Sequence, residues 1–457
     1  MTSAATKKPK PKSAIIIGGG HNGLIAAAVL ARKGLRVDVL EANAAFGGGL
    51  ALASSHMPLH PSVRKAAGLK KQSIKPVESI AIGPDGPPLR YEQLPEYKAF
   101  LQEYLSYSAA LAPLMLNRPP RLKHFDWADA QTLGKAGWAI RLGLGKTAMQ
   151  EFLRVIGMNI FDVLNEHFAD ERLKGAIAFD AVMGNHLAPR TPGTVLTYLM
   201  RLFHQGGNPR MPAGQTAAAL EAGASSAGAR LKPSSKVESI LIEDDAAVGV
   251  KLAGGEELRA DIVLSNADAK TTFLKLVGAR HLDARFIHRV SKTRTDGDVA
   301  WLQLTLKHAP EIDGLGPLMP NQRIVLSPNM RHLERAFNAS KYGAFSEAPV
   351  LEMMANGNQL SITAAYAPFD LKQGWASGAP AFQQAVLGVL APHMSGLDDQ
   401  IEAATLLTPP DVAARYGSAG GHWHHGDIAF DQSFMMRPVH GAAQYKTPLP
   451  GLYLCGA

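Results

Sequence analysis

SAIIIGGGHNG, residues 13–23, is the stretch that decides the fold of this chain. Its apolar run, Ile15–Ile17, predicts a buried strand of a parallel sheet. The glycines that follow allow a tight turn and a close approach of the backbone to a pyrophosphate. Residues 21–34, HNGLIAAAVLARKG, have helical composition. The first N–H groups of such a helix would point at the phosphates.

The spacing of residues around this stretch predicts a dinucleotide site. Gly18, Gly20 and Gly23 occupy the three glycine positions of G-x-G-x-x-G. A second predicted strand ends at Glu41, where a carboxylate can accept hydrogen bonds from an adenosine ribose. The alternative is a glycine turn in an unrelated α/β fold.

Length and composition indicate a large globular protein. The chain has 457 residues, of which 46% are hydrophobic and 19% are charged, so two domains are the natural expectation. Its one cysteine, Cys455, excludes a disulfide within the chain and a C-x-x-C redox pair. A flavin or nicotinamide enzyme with this sequence is therefore not a dithiol reductase.

The net charge of +8 lies partly in a Lys-rich tail, KKPKPK at positions 7–12. We expect residues 1–12 to be disordered, because they are polar and lack the apolar run of a secretory signal. No stretch approaches the roughly 18 apolar residues of a spanning helix. We expect a cytoplasmic protein, or a mitochondrial-matrix protein in a eukaryote, that can contact a membrane peripherally. The sequence shows no basic face with interleaved aromatic residues, so we do not expect the protein to bind nucleic acid.

A second glycine cluster, AAFGGG at positions 44–49, follows the predicted ribose-binding acid. It predicts another backbone segment close to the cofactor, as in flavoproteins of the glutathione-reductase class, whereas a plain nicotinamide dehydrogenase does not need it. The alternative is a flexible loop.

The later part of the chain predicts a β-meander and a mixed second domain. The meander strands are predicted over 236–242, 248–252 and 258–264, and they lead into SNAD at 265–268, where small polar residues would meet a cofactor edge. Helices are predicted over 97–116, 148–168, 171–184, 194–203, 216–228 and 381–393, and further strands over 298–306 and 361–366.

Residues 133–148, LGKAGWAIRLGLGKTA, mix large apolar side chains with lysine and arginine. This composition is typical of a helix that lies on a membrane surface. Its glycines weaken the helix, and an ordinary, partly exposed segment is the alternative.

A series of short motifs runs along nearly the whole chain: GGGHNGL at 18–24, DVLNEHF at 162–168, PGT at 192–194, SNAD at 265–268, HGD at 425–427, DQ at 431–432, MRP at 436–438, YKTP at 445–448 and LYLCGA at 452–457. In this order they resemble the phytoene desaturase-like FAD-dependent oxidoreductases. The greatest resemblance is to the branch that holds the desaturase-type β-carotene ketolases and the pyridine nucleotide-disulfide oxidoreductase domain-containing protein 2 group.

The resemblance implies an α/β fold with FAD as the cofactor. A Rossmann-like FAD-binding domain of glutathione-reductase type, a parallel sheet plus a β-meander, would be joined by a mixed α+β substrate domain. The implied FAD-binding parts are 13–75, 205–275 and 419–457, and the implied substrate-domain parts are 76–204 and 276–418. The implied FAD contacts are Gly18, Gly20, His21, Asn22, Gly23, Glu41, Gly47, Gly48, Val237, Asn266 and Gly456.

Three features depart from the family pattern. Gly49 stands where arginine or alanine is usual, and Met211–Pro212 replaces a glycine pair, which restricts the backbone at a turn. The sequence stops at Ala457, where the family continues with a glycine-rich loop and a helix that close over the flavin. From these departures we expect a weakened flavin site if the native chain ends there.

The flavin would supply the redox chemistry, and the protein would bind, orient and tune it. Removal of a hydride from a long apolar polyene needs an apolar tunnel and few acids or bases, and the sequence shows no Ser-His-Asp motif. The candidate catalytic residues are His425, Arg437 and Gln432. A histidine bonded to the backbone and a surface salt bridge of Arg437 are the structural alternatives. His422, His424 and His425 lack partners at metal spacing, so we expect no metal.

Three functions remain open from the sequence. The first is an FAD-dependent oxidoreductase that acts on a hydrophobic polyene or isoprenoid-like substrate. The second is a non-catalytic or regulatory relative with an impaired flavin site. The third, a nicotinamide dehydrogenase, is disfavoured by Gly47–Gly48 and the meander.

Overall fold

A computed structural model describes residues 11–51, 56–57, 59–69, 77–84, 86–121, 125–205 and 211–456. Most of the predicted tail, and Pro209 and Arg210 of the unusual turn, lie outside the described residues. Met211–Pro212 forms a short antiparallel pair with His56–Met57.

The strands and helices follow one another in mixed order. The strands are β1 Ser13–Ile17, β2 Arg36–Leu40, β3 His56–Met57, β4 Glu78–Ile82, β5 Met211–Pro212, β6 Arg230–Lys232, β7 Val237–Glu243, β8 Ala246–Leu252, β9 Glu257–Arg259, β10 Ile262–Ser265, β11 Val299–Leu306, β12 Glu311–Ile312, β13 Gly316–Pro317, β14 Gln322–Leu326, β15 Leu351–Asn356, β16 Gln359–Ala365, β17 Ile401–Leu407 and β18 Leu452–Leu454. The helices are α1 His21–Arg32, α2 Pro61–Ala67, α3 Pro95–Ala110, α4 Ala112–Leu116, α5 Trp127–Trp138, α6 Gly145–Val155, α7 Ile160–His167, α8 Glu171–Val182, α9 Thr194–Gln205, α10 Ala213–Ser226, α11 Ala284–Ser291, α12 Met330–Lys341, α13 Trp375–Leu390, α14 Leu397–Gln400 and α15 Pro409–Tyr416.

A parallel sheet in the order β18-β10-β1-β2-β6 forms the first body of the fold. Every residue of β1 is buried, as expected of a strand covered on both faces. Ile16 packs with α1 and α10 on one face. Ile15 and Ile17 pack on the other face with the meander and α11. The predicted α/β fold with a parallel sheet and a meander is therefore confirmed.

The predicted third meander strand, 258–264, is wrong, because these residues belong to two sheets. β9 pairs with β8 in the antiparallel meander, whereas β10 pairs with β1 and β18 in the parallel sheet. Asp261 separates the two strands, and its carboxylate accepts hydrogen bonds from the N–H groups of Lys12 (2.8 Å) and Ser13 (2.9 Å). The carboxylate thus satisfies the backbone N–H groups at the start of β1. Asp261 itself lies between β9 and β10, where the chain passes from one sheet to the other.

A six-stranded mixed sheet in the order β17-β11-β16-β15-β14-β4 forms the second body. One face packs against α13, which begins at Trp375, six residues before the predicted start. The other face packs against a helical layer that includes α3, α7, α8, α9 and α12. The predicted domain boundaries stay predictions, but Phe286 and Val290 of α11 pack under the parallel sheet.

Two predicted long helices are interrupted. The predicted helix 97–116 divides into α3 and α4 beside Pro113, which has no N–H to continue the first helix. The predicted helix 148–168 divides into α6 and α7, and Gly157 lies in the break. The segment 133–148 contains a π-helical turn, Ala139–Gly143, between α5 and α6.

Candidate cofactor and active site

The turn after β1 is shaped by glycine and held to β2. Gly18 has φ of +91°, a conformation that L side chains rarely adopt, and its N–H donates to the carbonyl of Leu40 at 2.8 Å. The N–H of Gly19 donates to Oε2 of Glu41 at 2.7 Å. The turn and the predicted ribose-binding acid are therefore one hydrogen-bonded unit.

The start of α1 is suited to an anion. Gly20 is the N-cap residue, no side chain of the described residues caps this end, and the first turn holds no acidic residue. A Cβ at Gly23 would lie 2.2 Å from the carbonyl oxygen of Gly18, so only glycine permits this close approach of helix and strand. His21 and Asn22 stand in the same first turn. The N–H groups and dipole of this helix end favour a phosphate.

Glu41 is buried and forms the junction of three chain segments. Besides Gly19, the N–H of Asn43 donates to its carboxylate, at 2.9 Å. The backbone carbonyl of Glu41 accepts from the N–H of Ser235 at 2.7 Å. This contact brings the start of β7, and with it Val237, beside the predicted adenosine end of the site.

The second glycine cluster packs directly on the first. The N–H of Gly47 donates to the carbonyl of Gly19 at 2.9 Å, and Gly47 forms a parallel bridge with Gly20. A Cβ at Gly48 would lie 3.2 Å from Cα of Gly20. The second glycine cluster is therefore hydrogen-bonded to the phosphate turn and packs against it.

The carboxyl ends of β1, β10 and β18 converge at the same sheet edge. Asn266 donates its N–H to Ile17 at 2.8 Å, and its side chain Cβ lies 3.5 Å from the position a Cβ of Gly18 would occupy. Oδ1 of Asn266 is buried and has no hydrogen-bond partner among the described residues. A Cβ at Gly456 would lie 2.8 Å from Nδ1 of His425. Ligands of open parallel sheets bind outside this edge.

These residues fit FAD. The glycine turn and the start of α1 would hold its pyrophosphate, and Glu41 would hold its adenosine ribose. The amide oxygen of Asn266 is a polar group of the site that the described protein atoms leave without a hydrogen bond. All the predicted FAD contacts except Val237 and Gly456 therefore surround one turn.

His425 is half-buried at the sheet edge and has a left-handed conformation, with φ of +60°. Burial lowers the pKa of His425 to about 4, so the imidazole is neutral near pH 7. Its Nδ1 has no hydrogen-bond partner among the described residues and lies against Gly456. A neutral imidazole with an unsatisfied ring nitrogen is thus placed at the end of β18.

Among the residues that the structure describes, Arg437 has no acidic partner for the surface salt bridge considered as its structural alternative. Its guanidinium donates to the carbonyls of Asp427 (3.0 Å) and Gly426 (3.2 Å), and also to that of His424. Burial lowers the pKa of Arg437 to about 10, which leaves it charged at neutral pH. Arg437 therefore holds the loop that carries His425.

Gln432 supports the same loop. Its amide oxygen accepts from the N–H of Arg294 at 2.7 Å, and its amide nitrogen donates to the carbonyl of Asp427 at 3.1 Å. Asp431 is exposed and pairs with Arg294 at 2.6 Å. These contacts make Gln432 a positioning residue for the loop.

Two pairs of a histidine and a buried aspartate were not predicted from the sequence. Nε2 of His422 lies 3.1 Å from Asp427, and Nδ1 of His186 lies 3.3 Å from Oδ2 of Asp298. Burial raises the pKa of Asp298 to about 6, and neither of its oxygens accepts a hydrogen bond of good geometry from the described residues. One signal was available: Asp298 directly precedes the apolar strand VAWLQLTL.

Comparisons with known proteins agree with this geometry. The profile of the FAD dependent oxidoreductase (DAO) family matches residues 13–300. The chain is 26% identical to pyridine nucleotide-disulfide oxidoreductase domain-containing protein 2 of Rattus norvegicus, covering all of this chain and 92% of the relative. It is 28% identical to a neurosporene-forming phytoene desaturase of Cereibacter sphaeroides over 50% of this chain and 45% of that protein.

The fold is shared with solved oxidoreductases. An oxidoreductase from Methanosarcina mazei superposes with a TM-score of 0.57 at 15% sequence identity, covering 97% of this chain and 94% of the other. The family match, together with the glycine turn and Glu41, makes FAD the cofactor and disfavours the nicotinamide dehydrogenase considered above. The chain therefore belongs to the FAD dependent oxidoreductase family and is related to the carotenoid desaturases.

Proposed function

We propose that this FAD-dependent oxidoreductase acts on a hydrophobic polyene or isoprenoid-like substrate. It dehydrogenates or oxidises the substrate by hydride transfer to the flavin, or isomerises it with no net change in the oxidation state of substrate or flavin. The observation that carries the proposal is the uncharged character of three half-buried residues at the cofactor edge. His425 is neutral, Asn266 presents an amide, and Gly456 presents no side chain. Such an edge suits the removal of a hydride from an apolar carbon chain.

A bound FAD would supply the acceptor for two electrons delivered as a hydride. The protein's part is to hold the cofactor and keep the site dry. His425 can donate or accept a hydrogen bond there without adding a charge, since burial keeps its imidazole neutral. Arg437 fixes the loop of His425 through backbone carbonyls and so fixes where the imidazole points.

The relatives support a hydrophobic substrate. The Cereibacter sphaeroides protein is a phytoene desaturase, and prolycopene isomerases of an Oncidium hybrid are 27% identical over 58% of this chain. Both names refer to long apolar polyenes. By this likeness we assign the same substrate class here, without naming one polyene.

The test begins with the colour of the purified protein. We expect a flavin absorption spectrum, and bleaching of that spectrum when the protein is mixed without oxygen with phytoene in detergent micelles. A water-soluble primary amine should not bleach it. The variant His425→Ala should keep its FAD but bleach more slowly than the wild type.

Two results would contradict the proposal in different ways. Colourless protein that takes up no added FAD would favour the non-catalytic relative. Yellow protein that amines reduce and polyenes do not would refute the substrate class while leaving the flavin site intact.

A further inference from the structure

The outer face of α5 carries large apolar side chains. Trp127 is 77% exposed and Trp138 is 64% exposed. They are separated by three helical turns and so share one stripe of the helix surface. The opposite face, Asp129, Thr132 and Ala136, is the buried one. A helix that buries an aspartate and exposes two tryptophans reverses the usual pattern of a surface helix.

The apolar stripe extends beyond both ends of α5. Phe125, just before the helix, is 54% exposed, and Leu142 in the following π-helical turn is 62% exposed. Ile140 of the same turn and Leu144 directly after it instead pack against the helical core. The chain thus presents alternate large side chains outward. We call Phe125, Trp127, Trp138 and Leu142 the tryptophan surface.

The charge around the tryptophan surface is positive. Lys135, Arg141 and Lys146 are all exposed on this segment. The two nearby acids, Asp126 and Asp129, are each bonded to both Arg118 and Arg121, two arginines outside the segment. Arg118 and Arg121 therefore neutralise the two acids. The positive charges of Lys135, Arg141 and Lys146 remain available to an anionic surface.

A groove of about 520 Å³ adjoins this surface between α4 and α5. Its lining is mainly apolar and includes Pro113, Leu116 and Trp138, with Lys135 at its side. Such a groove could accept part of an acyl chain. Tryptophan rings prefer the boundary between headgroups and acyl chains, and lysine can lie along apolar surface while its ammonium reaches phosphate.

We propose that the tryptophan surface docks this protein on a bilayer that contains anionic lipid. The indole rings and Leu142 would enter the headgroup boundary, and Lys135 and Arg141 would meet lipid phosphates. Among the described residues, no helix has the length and apolarity to cross a membrane. Docking on the surface is therefore the mode that these residues support, and it does not depend on the substrate assigned above.

The test is sedimentation of the full chain with vesicles. We expect binding to phosphatidylcholine vesicles that contain phosphatidylglycerol, weaker binding to phosphatidylcholine alone, and release by salt. The double variant W127S/W138S should lower the partition coefficient by about tenfold or more. The double variant K135E/R141E should abolish the preference for anionic vesicles.

Tyr342→Ser is the matched control, because Tyr342 is 63% exposed at the end of α12, outside the tryptophan surface. It should bind vesicles like the wild type, and circular dichroism should show all variants folded. Failure of the wild type to bind anionic vesicles would overturn the proposal, as would equal binding by W127S/W138S. A wild-type dimer that W127S/W138S converts to monomer, with no vesicle binding, would instead assign this face to a second copy.

Discussion

Glu41 shows how one side chain joins the fold to the cofactor. Its carboxylate accepts N–H donors from Gly19 and Asn43, so the acid holds the phosphate turn in place while it faces the predicted ribose. Charge-assisted hydrogen bonds of this kind contribute about 1.5–3 kcal/mol each. A change at Glu41 should therefore affect the turn as well as the contact with ribose.

The variant Glu41→Ala should weaken FAD binding by about 10- to 100-fold, which corresponds to the loss of about one such bond. Quenching of flavin fluorescence during titration of the apoprotein measures this change. Glu243→Ala is the control, because Glu243 is exposed and pairs with Arg259 on the meander. Equal FAD affinity for wild type and Glu41→Ala would reject the ribose role.

Because its carboxyl is buried, Asp298 should make the free energy of unfolding depend on pH. Burial raises its pKa from the ordinary value of 3.8 to about 6, so the folded state holds more protons than the unfolded state between these values. The free energy of unfolding should then fall as pH rises through this window, by on the order of 3 kcal/mol. His186, beside it, adds the same sign at higher pH, because Asp298 raises its pKa despite the opposing effect of burial.

Asp298→Asn should flatten this pH dependence between pH ~4 and ~6, since the variant has no carboxyl to titrate. Urea unfolding at several pH values measures the slope. The control is Asp370→Asn at an exposed aspartate. A slope that stays the same in Asp298→Asn would show that the buried carboxyl does not titrate in this range.

At the scale of elements, the β1–α1 unit depends on missing side chains. α1 approaches β1 so closely that its fit requires glycine at position 23, where a Cβ would meet a backbone oxygen that cannot move aside. Gly388 in α13 is different, because a Cβ there would lie in open space.

Gly23→Ala and Gly388→Ala should therefore have opposite effects. The first should lower the free energy of unfolding by about 1–3 kcal/mol through overpacking and should weaken FAD binding. The second should raise it by about 0.5–1 kcal/mol through helix propensity. Thermal and urea unfolding test the pair, and a shift of equal sign in both variants would contradict the close approach of helix and strand.

At the scale of the whole molecule, a buried ion network joins the mixed sheet to the helical layer. Arg323 of β14 bonds Glu352 of β15 at 2.5 Å and Asp180 of α8 at 2.6 Å. Arg201 of α9 also bonds Asp180, at 2.8 Å. Two arginines thus balance two acids at the interface of sheet and helices.

Arg323→Ala should lower the free energy of unfolding by about 3–5 kcal/mol, because it leaves buried acids with too little positive charge. Arg259→Ala, which breaks the exposed pair with Glu243, should leave the melting temperature unchanged within error. Melting temperatures measured side by side decide this prediction. Similar losses in both variants would mean that the buried network does not hold the layers together.

The cofactor-binding part of the fold could be predicted from the sequence because the residues that specify it are close together in the chain. A strand, a glycine turn, a helix and an acid follow one another within residues 13–41, and each is dictated by neighbours in the chain. The same locality explains the confirmed α/β fold. It also explains one error: the run 258–264 alternates like a single strand, and only Asp261, bonded to the start of β1, divides it between two sheets.

By itself, then, the sequence determined the dinucleotide turn, the acid at Glu41 and FAD as the cofactor. Only the tertiary structure decided that His425 lies against Gly456, that Arg437 holds its loop, and that Asp298 meets His186. The physical reason is that burial and charge pairing arise between segments far apart in the chain, and they set the pKa of a side chain. The tryptophan surface depends on both. The sequence shows its large apolar residues, whereas only the packing of the fold decided which of them face outward.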